Sequence, residues 1–301
     1  MSASDSPAGT SGGSSSFVRG ILWIVLATAL FTVTNTFAKL LGQHHDVVQI
    51  LWARYTFHLV LIGLLLRQAF PAALQTRHLK LQLGRSLLLL FSSALYFTGF
   101  TLLPLAESAA MINVTPLLVT VLSVPLLGER VGIRRSTGVV LGFLGALIII
   151  RPGMDTFTVA ALFPLTAAST YALYQIATRH VSHADTPMTS ITYTALAGTV
   201  IGGLVVPFFW TAPNMAGWAM MIGMGISGGF GHYAMIRAYS LAEISAIVPF
   251  TYTVLIWMVA SGYFVFGDLP DIWTLAGTLI IATSGVYITR REAAVKKAEA
   301  A

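Results

Sequence analysis

From about residue 18 to about residue 289 the chain is a series of apolar runs, separated by breaks of only a few residues. The runs lie at about 18–41, 47–66, 84–103, 105–127, 134–150, 157–179, 188–210, 216–238, 241–266 and 270–289. A helix that crosses a bilayer needs about 20 mainly apolar residues, so each run has roughly the length of one crossing. Most breaks have a local cause, among them Gly128-Glu129, Pro152-Gly153, Pro187, Pro213 and Gly267-Asp268. Charged residues make up 9% of the 301, against roughly 25% in a soluble domain, too few to cover a water-facing surface. The sequence therefore predicts an all-α membrane protein of ten transmembrane helices. No length remains for a sizeable soluble domain, and no G-x-x-x-x-G-K-[ST] loop exists to hold ATP. The absence of cysteine excludes disulfides, thiolate metal sites and cysteine nucleophiles.

The positive balance belongs to orientation. With the N-terminus inside, every Lys and Arg falls at a cytoplasmic end or loop except Lys39, Arg54 and Arg151. The positive-inside rule then predicts a multi-pass protein of the cell inner membrane with both termini cytoplasmic, and no nucleic-acid partner. Residues 1–16, rich in Ser and Gly, read as a disordered tail and not a signal peptide; residues 291–301 read as a cytoplasmic tail.

Between the tails the halves repeat, 17–153 against 154–290. Leu105-Ala106-Glu107 recurs as Leu241-Ala242-Glu243, each opening a long apolar run that closes at Gly128-Glu129 or at Gly267-Asp268. The register then holds without a gap: Ile133 with Ile272, Gly138 with Gly277, Ile149 with Ile288, Arg151 with Arg290. Five crossings per unit is an odd number, so the second unit must be inverted across the membrane. Inverted repeats are a construction of secondary transporters, with the substrate site between them near the midplane.

With these features the sequence resembles the EamA family of the ten-helix drug/metabolite transporter superfamily. The resemblance rests on Leu105, Pro116, Gly128-Glu129-Arg130, Gly138, Gly142, Gly145 and Arg151-Pro152-Gly153. In the second unit it rests on Ala242-Glu243, Pro249-Phe250, Tyr252, Phe266-Gly267-Asp268, Pro270 and Gly277. It implies a central cavity lined by the first, third, fourth, sixth, eighth and ninth helices.

Several motifs have a plainer account. Gly223-Met224-Gly225-Ile226-Ser227-Gly228 fits G-x-G-x-x-G, but it lies within an apolar run with no preceding strand, so close helix packing is favoured over a dinucleotide site. Ser227 and His232 are too poorly placed on one helix for a nucleophile–base pair. Lys39 and Arg151 read as anchors near the outer surface, and Glu107 and Glu243 as carboxylates at helix starts.

The residues that point to a site are polar groups at membrane depth, which cost free energy and are functional by default. Asn35 joins Thr28, Thr32 and Thr36 in one stripe; Asn113 precedes Pro116, which frees the Ile112 carbonyl. Tyr171, Tyr174 and Gln175 form a similar stripe, His232 sits in a Gly-rich run, and Pro249, Tyr252 and Thr253 repeat the proline-plus-polar pattern. Arg54 shares a face with His58 and either binds a carboxylate or phosphate or snorkels to the outer interface. The expected substrate-binding set is Asn35, Arg54, Tyr96, Asn113, Tyr174, Gln175, His232 and Tyr252, with Pro116 and Pro249 as hinges. No catalytic residue, metal or cofactor is expected. His232 is the best titratable group for proton coupling. The chain reads as a carrier of a neutral, zwitterionic or aromatic solute, with amino acids, S-adenosylmethionine and riboflavin among the family's solutes and a homodimer open. A lipid- or prenyl-modifying membrane enzyme is the alternative; a channel would need a ring of charges or a filter loop.

Overall fold

The computed structural model describes residues 11–127, 133–151, 158–181, 185–241 and 248–299. Among them the helices are α1 (Ser11–Leu41), α2 (Val47–Leu66), α3 (Leu79–Leu102) and α4, in two pieces (Leu105–Ile112 and Thr115–Leu127). They continue as α5 (Ile133–Ile150), α6 (Leu162–Val181), α7 (Pro187–Val205), α8 (Met215–Leu241), α9 (Thr253–Ser261) and α10 (Ile272–Glu299). Six segments are long and apolar enough to span a membrane, and α5, α9 and α10 carry the shorter apolar stretches Ser136–Ile150, Phe250–Phe266 and Ile272–Tyr287. Large apolar side chains such as Leu64, Leu204, Phe208 and Phe264 face outward, as lipid contact requires.

Local chemistry sets the boundaries. The Asp46 carboxylate accepts from the Val48 N–H to open α2, and Thr186 caps α7 ahead of Pro187, whose missing N–H costs nothing in a first turn. Gly267, at φ 73°, ends the π-helical turn Gly262–Phe266 that follows α9 in a conformation that favours glycine. Three boundaries differ from expectation. The helix of α1 already includes Ser11–Ser16, which the sequence assigned to an irregular tail, and α10 runs through residues 291–299. The fourth helix is not continuous: it breaks at Asn113 and Val114, because Pro116 cannot donate to the Ile112 carbonyl. The Gly128-Glu129 and Pro152-Gly153 breaks, and Glu243, lie outside the described residues.

The packing is symmetric under exchange of the halves. α1 lies along α8 as α6 lies along α3, and α9 meets α1 as the second piece of α4 meets α6; α2 meets α7, α4 meets α9 and α5 meets α10. Small residues allow these approaches. A Cβ on Gly145 would stand 2.9 Å from the Gly277 carbonyl oxygen, and one on Gly277 would stand 2.5 Å from that of Gly145, so α5 and α10 touch backbone to backbone. The glycines of the G-x-G-x-x-G run serve the same purpose, Gly223 against Phe37 and Gly225 against Phe57.

Contacts between connections show which helix ends lie together. Lys39 Nζ donates to the Leu103 carbonyl at 2.9 Å and pairs with Asp268 at 3.4 Å. Arg151 pairs with Asp271 at 2.7 Å, and Gln49 exchanges two hydrogen bonds with the Thr211 backbone. These contacts gather the connections that follow α1, α3, α5, α7 and α9 at one end. At the other, Thr76 donates to Asp185 at 2.5 Å, joining the α2–α3 and α6–α7 connections. The apolar core is weighted toward the first end, with Leu41, Ile50, Leu51, Phe97, Phe100, Leu105, Ile149 and Met221 all buried there. That end is closed.

Candidate functional site

Below the closed end lies a cavity of about 420 Å³, lined by α1, α2, α3, α4, α6, α7 and α8. It extends from Tyr96 and Arg54 to Asp185 and the exposed Pro187, so it reaches the surface at the opposite, open end. α2 and α7 contribute wall residues that the resemblance did not imply, and α9 contributes none.

Of the residues singled out in the sequence, Asn35, Arg54, Tyr96, Tyr174 and His232 stand in this wall. The Asn35 amide lines the cavity and has no hydrogen-bond partner among the described residues. The rings of His58 and His232 stack at 5.5 Å with 6° between planes, and Phe31 meets His232 edge-on at 5.0 Å. The Tyr171 and Tyr174 rings stack at 5.4 Å. Arg54 lies over the rings of Phe97 at 5.1 Å and Tyr55 at 5.5 Å.

The structure does not bring Asn113, Gln175 and Tyr252 into the wall. Asn113 Nδ2 turns back to the Ala109 carbonyl at 2.6 Å, and the freed Ile112 carbonyl accepts from the Thr115 hydroxyl at 2.6 Å. The vacancy left by Pro116 is thus filled locally. Gln175 is exposed, one position round α6 from Tyr174. Tyr252 is buried against α10, its ring in the space where Gly285 lacks a side chain. Pro249 lies in the 3-10 turn Val248–Tyr252 that precedes α9.

The threonine stripe of α1 is also redirected. Thr28 bonds Thr253 at 2.8 Å and Thr36 bonds Ser261 at 2.6 Å, fastening α1 to α9. Thr34 bonds Ser227 at 2.8 Å, which engages that serine in the α1–α8 seam. Polar pairs of this kind join helices where apolar burial supplies no driving force. Lys39 and Arg151 are ties between connections, where the sequence suggested separate anchors.

Arg85 is the residue that sequence reasoning misplaced. Read as an interfacial charge, it is 1% exposed and uses all five N–H donors. Nε donates to Gln82 at 2.9 Å, Nη1 to Tyr174 and Thr178 at 3.1 Å each, and Nη2 to Thr194 at 2.9 Å and to the Ser190 carbonyl. Gln82 in turn donates to Asp185 at 2.8 Å. Burial opposes the Asp185 charge, but hydrogen bonds from Thr76 and Gln82 and the nearby His78 outweigh it and hold its carboxyl below the usual aspartate range. The available signal was spacing: Gln82, Arg85, Ser92, Ser93 and Tyr96 share one face of α3.

A bundle of two exchange-related five-helix units around a central cavity, sealed at one end, defines a membrane protein of the solute-carrier type. The EamA-like transporter family matches the chain twice, over residues 18–151 and 158–290. The chain belongs to that family. It is 29% identical to a riboflavin transporter of Vibrio cholerae, covering 91% of this chain and 94% of that one. It is 24% identical to an S-adenosylmethionine uptake transporter of Rickettsia prowazekii (92% and 94%) and 24% identical to a pseudopaline exporter of Pseudomonas aeruginosa (90% and 96%). A solved crystal structure superposes with a TM-score of 0.63 at 19% identity, covering 92% of this chain and 98% of that one.

Proposed function

We propose that this chain is a secondary carrier, not an enzyme, that moves a small organic solute by alternating access between its two halves. The observation that carries the reading is the asymmetry along the bundle axis: a 420 Å³ cavity opens at one end while a packed core and two ion pairs close the other. The volume falls within the range of about 300–1,000 Å³ typical of small-molecule sites. The placement of Lys and Arg supports an inner-membrane protein with cytoplasmic termini, which makes the conformation described here inward-facing. Asn35, Arg54, Tyr96, Tyr174 and His232 would hold the solute, and Arg85 would position Tyr174 beside it.

The chain has no cysteine, so introduced thiols are unique. A Lys39→Cys/Asp268→Cys variant joined by a short bifunctional maleimide should lose counterflow of whichever of riboflavin, riboflavin 5′-phosphate and S-adenosylmethionine the unaltered chain carries in proteoliposomes. The same variant without the reagent should retain it. Full counterflow of whichever solute is carried, with the closed end cross-linked, would rule out passage through that end.

A further inference from the structure

Resting on the carrier reading, we infer that the solute is an organic anion with a planar unsaturated ring, and that the guanidinium of Arg54 receives its carboxylate or phosphate. Arg54 lies within α2, about 10 Å from the closed-end terminus at 1.5 Å per residue. Toward that terminus the core is packed, and the neighbouring Tyr55 is bonded to Ser93 at 2.9 Å. Among the described residues it has neither a carboxylate nor a hydrogen-bond acceptor. Its contacts are the faces of Tyr55 and Phe97. Cation–π attraction offsets part of the cost of holding a charge there, but it leaves the five N–H donors of the fork unused. Such a fork matches a carboxylate or phosphate in bidentate geometry.

The rest of the wall has the same sign. Arg85 adds a second guanidinium, its donors already satisfied by the protein, so its part is the field it casts on the cavity. The acid among the lining residues, Asp185, stands at the open mouth and accepts from Thr76 and Gln82. Among the described lining residues a cationic solute would therefore meet two arginines and no carboxylate at depth. The sequence suggested a neutral, zwitterionic or aromatic solute; the ring agrees with the last of these, and the negative charge departs from the first two. The ring follows from the rest of the lining: Tyr96, the stacked Tyr171 and Tyr174, and the stacked His58 and His232 present flat faces on four helices.

The test is binding to purified protein in detergent, using pairs of one ring system that differ in charge. Indole-3-acetate is set against indole-3-acetamide for the carboxylate, and riboflavin 5′-phosphate against riboflavin for the phosphate. In at least one pair the anion should bind about tenfold or more tightly, the worth of one charge-assisted contact. Arg54→Gln should erase that preference and leave the neutral member's affinity in place, while Arg54→Lys should keep part of it. The comparison of anion with neutral partner uses the unaltered chain, so it stands even where a variant fails to fold. Equal binding within both pairs, a preference that survives Arg54→Gln, or no saturable binding of any member overturns the inference. Equal binding together with counterflow that the closed-end cross-link abolishes leaves the carrier standing and removes only the anion.

Discussion

Replacing Arg85 with lysine separates charge from geometry at the most connected side chain of the bundle. Lysine keeps the positive charge, and its ammonium is the more strongly hydrated of the two cations, so the substitution recovers no desolvation cost. It brings at most three donors to five acceptors, carried by Gln82, Tyr174, Thr178, Ser190 and Thr194. At least two bonds are therefore lost. Buried hydrogen bonds to charged groups are worth about 1.5–3 kcal/mol in soluble proteins, but interhelical bonds in a membrane protein average about 0.6 and reach about 1.7 kcal/mol. The lower scale applies, because Thr178 and Thr194 also donate to the carbonyls of Tyr174 and Ser190 and keep a partner after the change. Two bonds at about 0.6–1.7 kcal/mol each give a loss of about 1–3 kcal/mol. Reversible unfolding in mixed micelles, followed by circular dichroism against the mole fraction of denaturing detergent, reads that loss directly. Stability equal to that of the unaltered chain would show that the five-donor arrangement does not hold α3, α6 and α7 together.

A methyl group on Gly198 would place a Cβ 2.3 Å from the Tyr55 ring, which Ser93 holds by hydrogen bond, so Gly198→Ala should cost about 1–3 kcal/mol in the same unfolding assay. Gly63→Ala meets nothing within 4 Å, and it should be neutral or gain about 0.5–1 kcal/mol through helix propensity. Because the Asp185 carboxyl is held below its usual range, the stability it adds is complete above the ordinary aspartate pKa and is lost as pH falls through its lowered value. Thermal melts of the unaltered chain should therefore decline on the acid side more steeply than those of Asp185→Asn, and parallel curves would contradict the network.

Much of the architecture was legible because bilayer thickness imposes a length on every helix and proline and glycine mark the stops. The repeat was legible too, since Gly138 and Gly277 keep their register through a gapless stretch. What one sequence does not carry is the rotation of each helix. Tyr174 and Gln175 are neighbours of similar polarity, yet one faces the cavity and the other faces out. Asn113 looked like a ligand because its own Ala109 carbonyl, four residues back, was not counted as a partner. Arg85 looked interfacial because a charge near a span end satisfies the positive-inside rule whether it points to headgroups or inward. Its face-mates Gln82 and Ser92 were the clue to direction.

The two ends of the pathway differ in chemistry, and this bears on how temperature acts on the exchange between states. Parting the closed end wets Leu41, Ile50, Phe97, Phe100 and Leu105, an apolar exposure that raises heat capacity. Closing the open end draws Ser190, Thr194 and Asp185 out of water, and burial of polar groups raises heat capacity as well, so for these groups the two changes do not cancel. The free-energy difference between the two facings is then a curved function of temperature. Apolar cohesion weakens on cooling, so cold favours release of the seal at the closed end, and an Arrhenius plot of transport should bend without any change in the lipid.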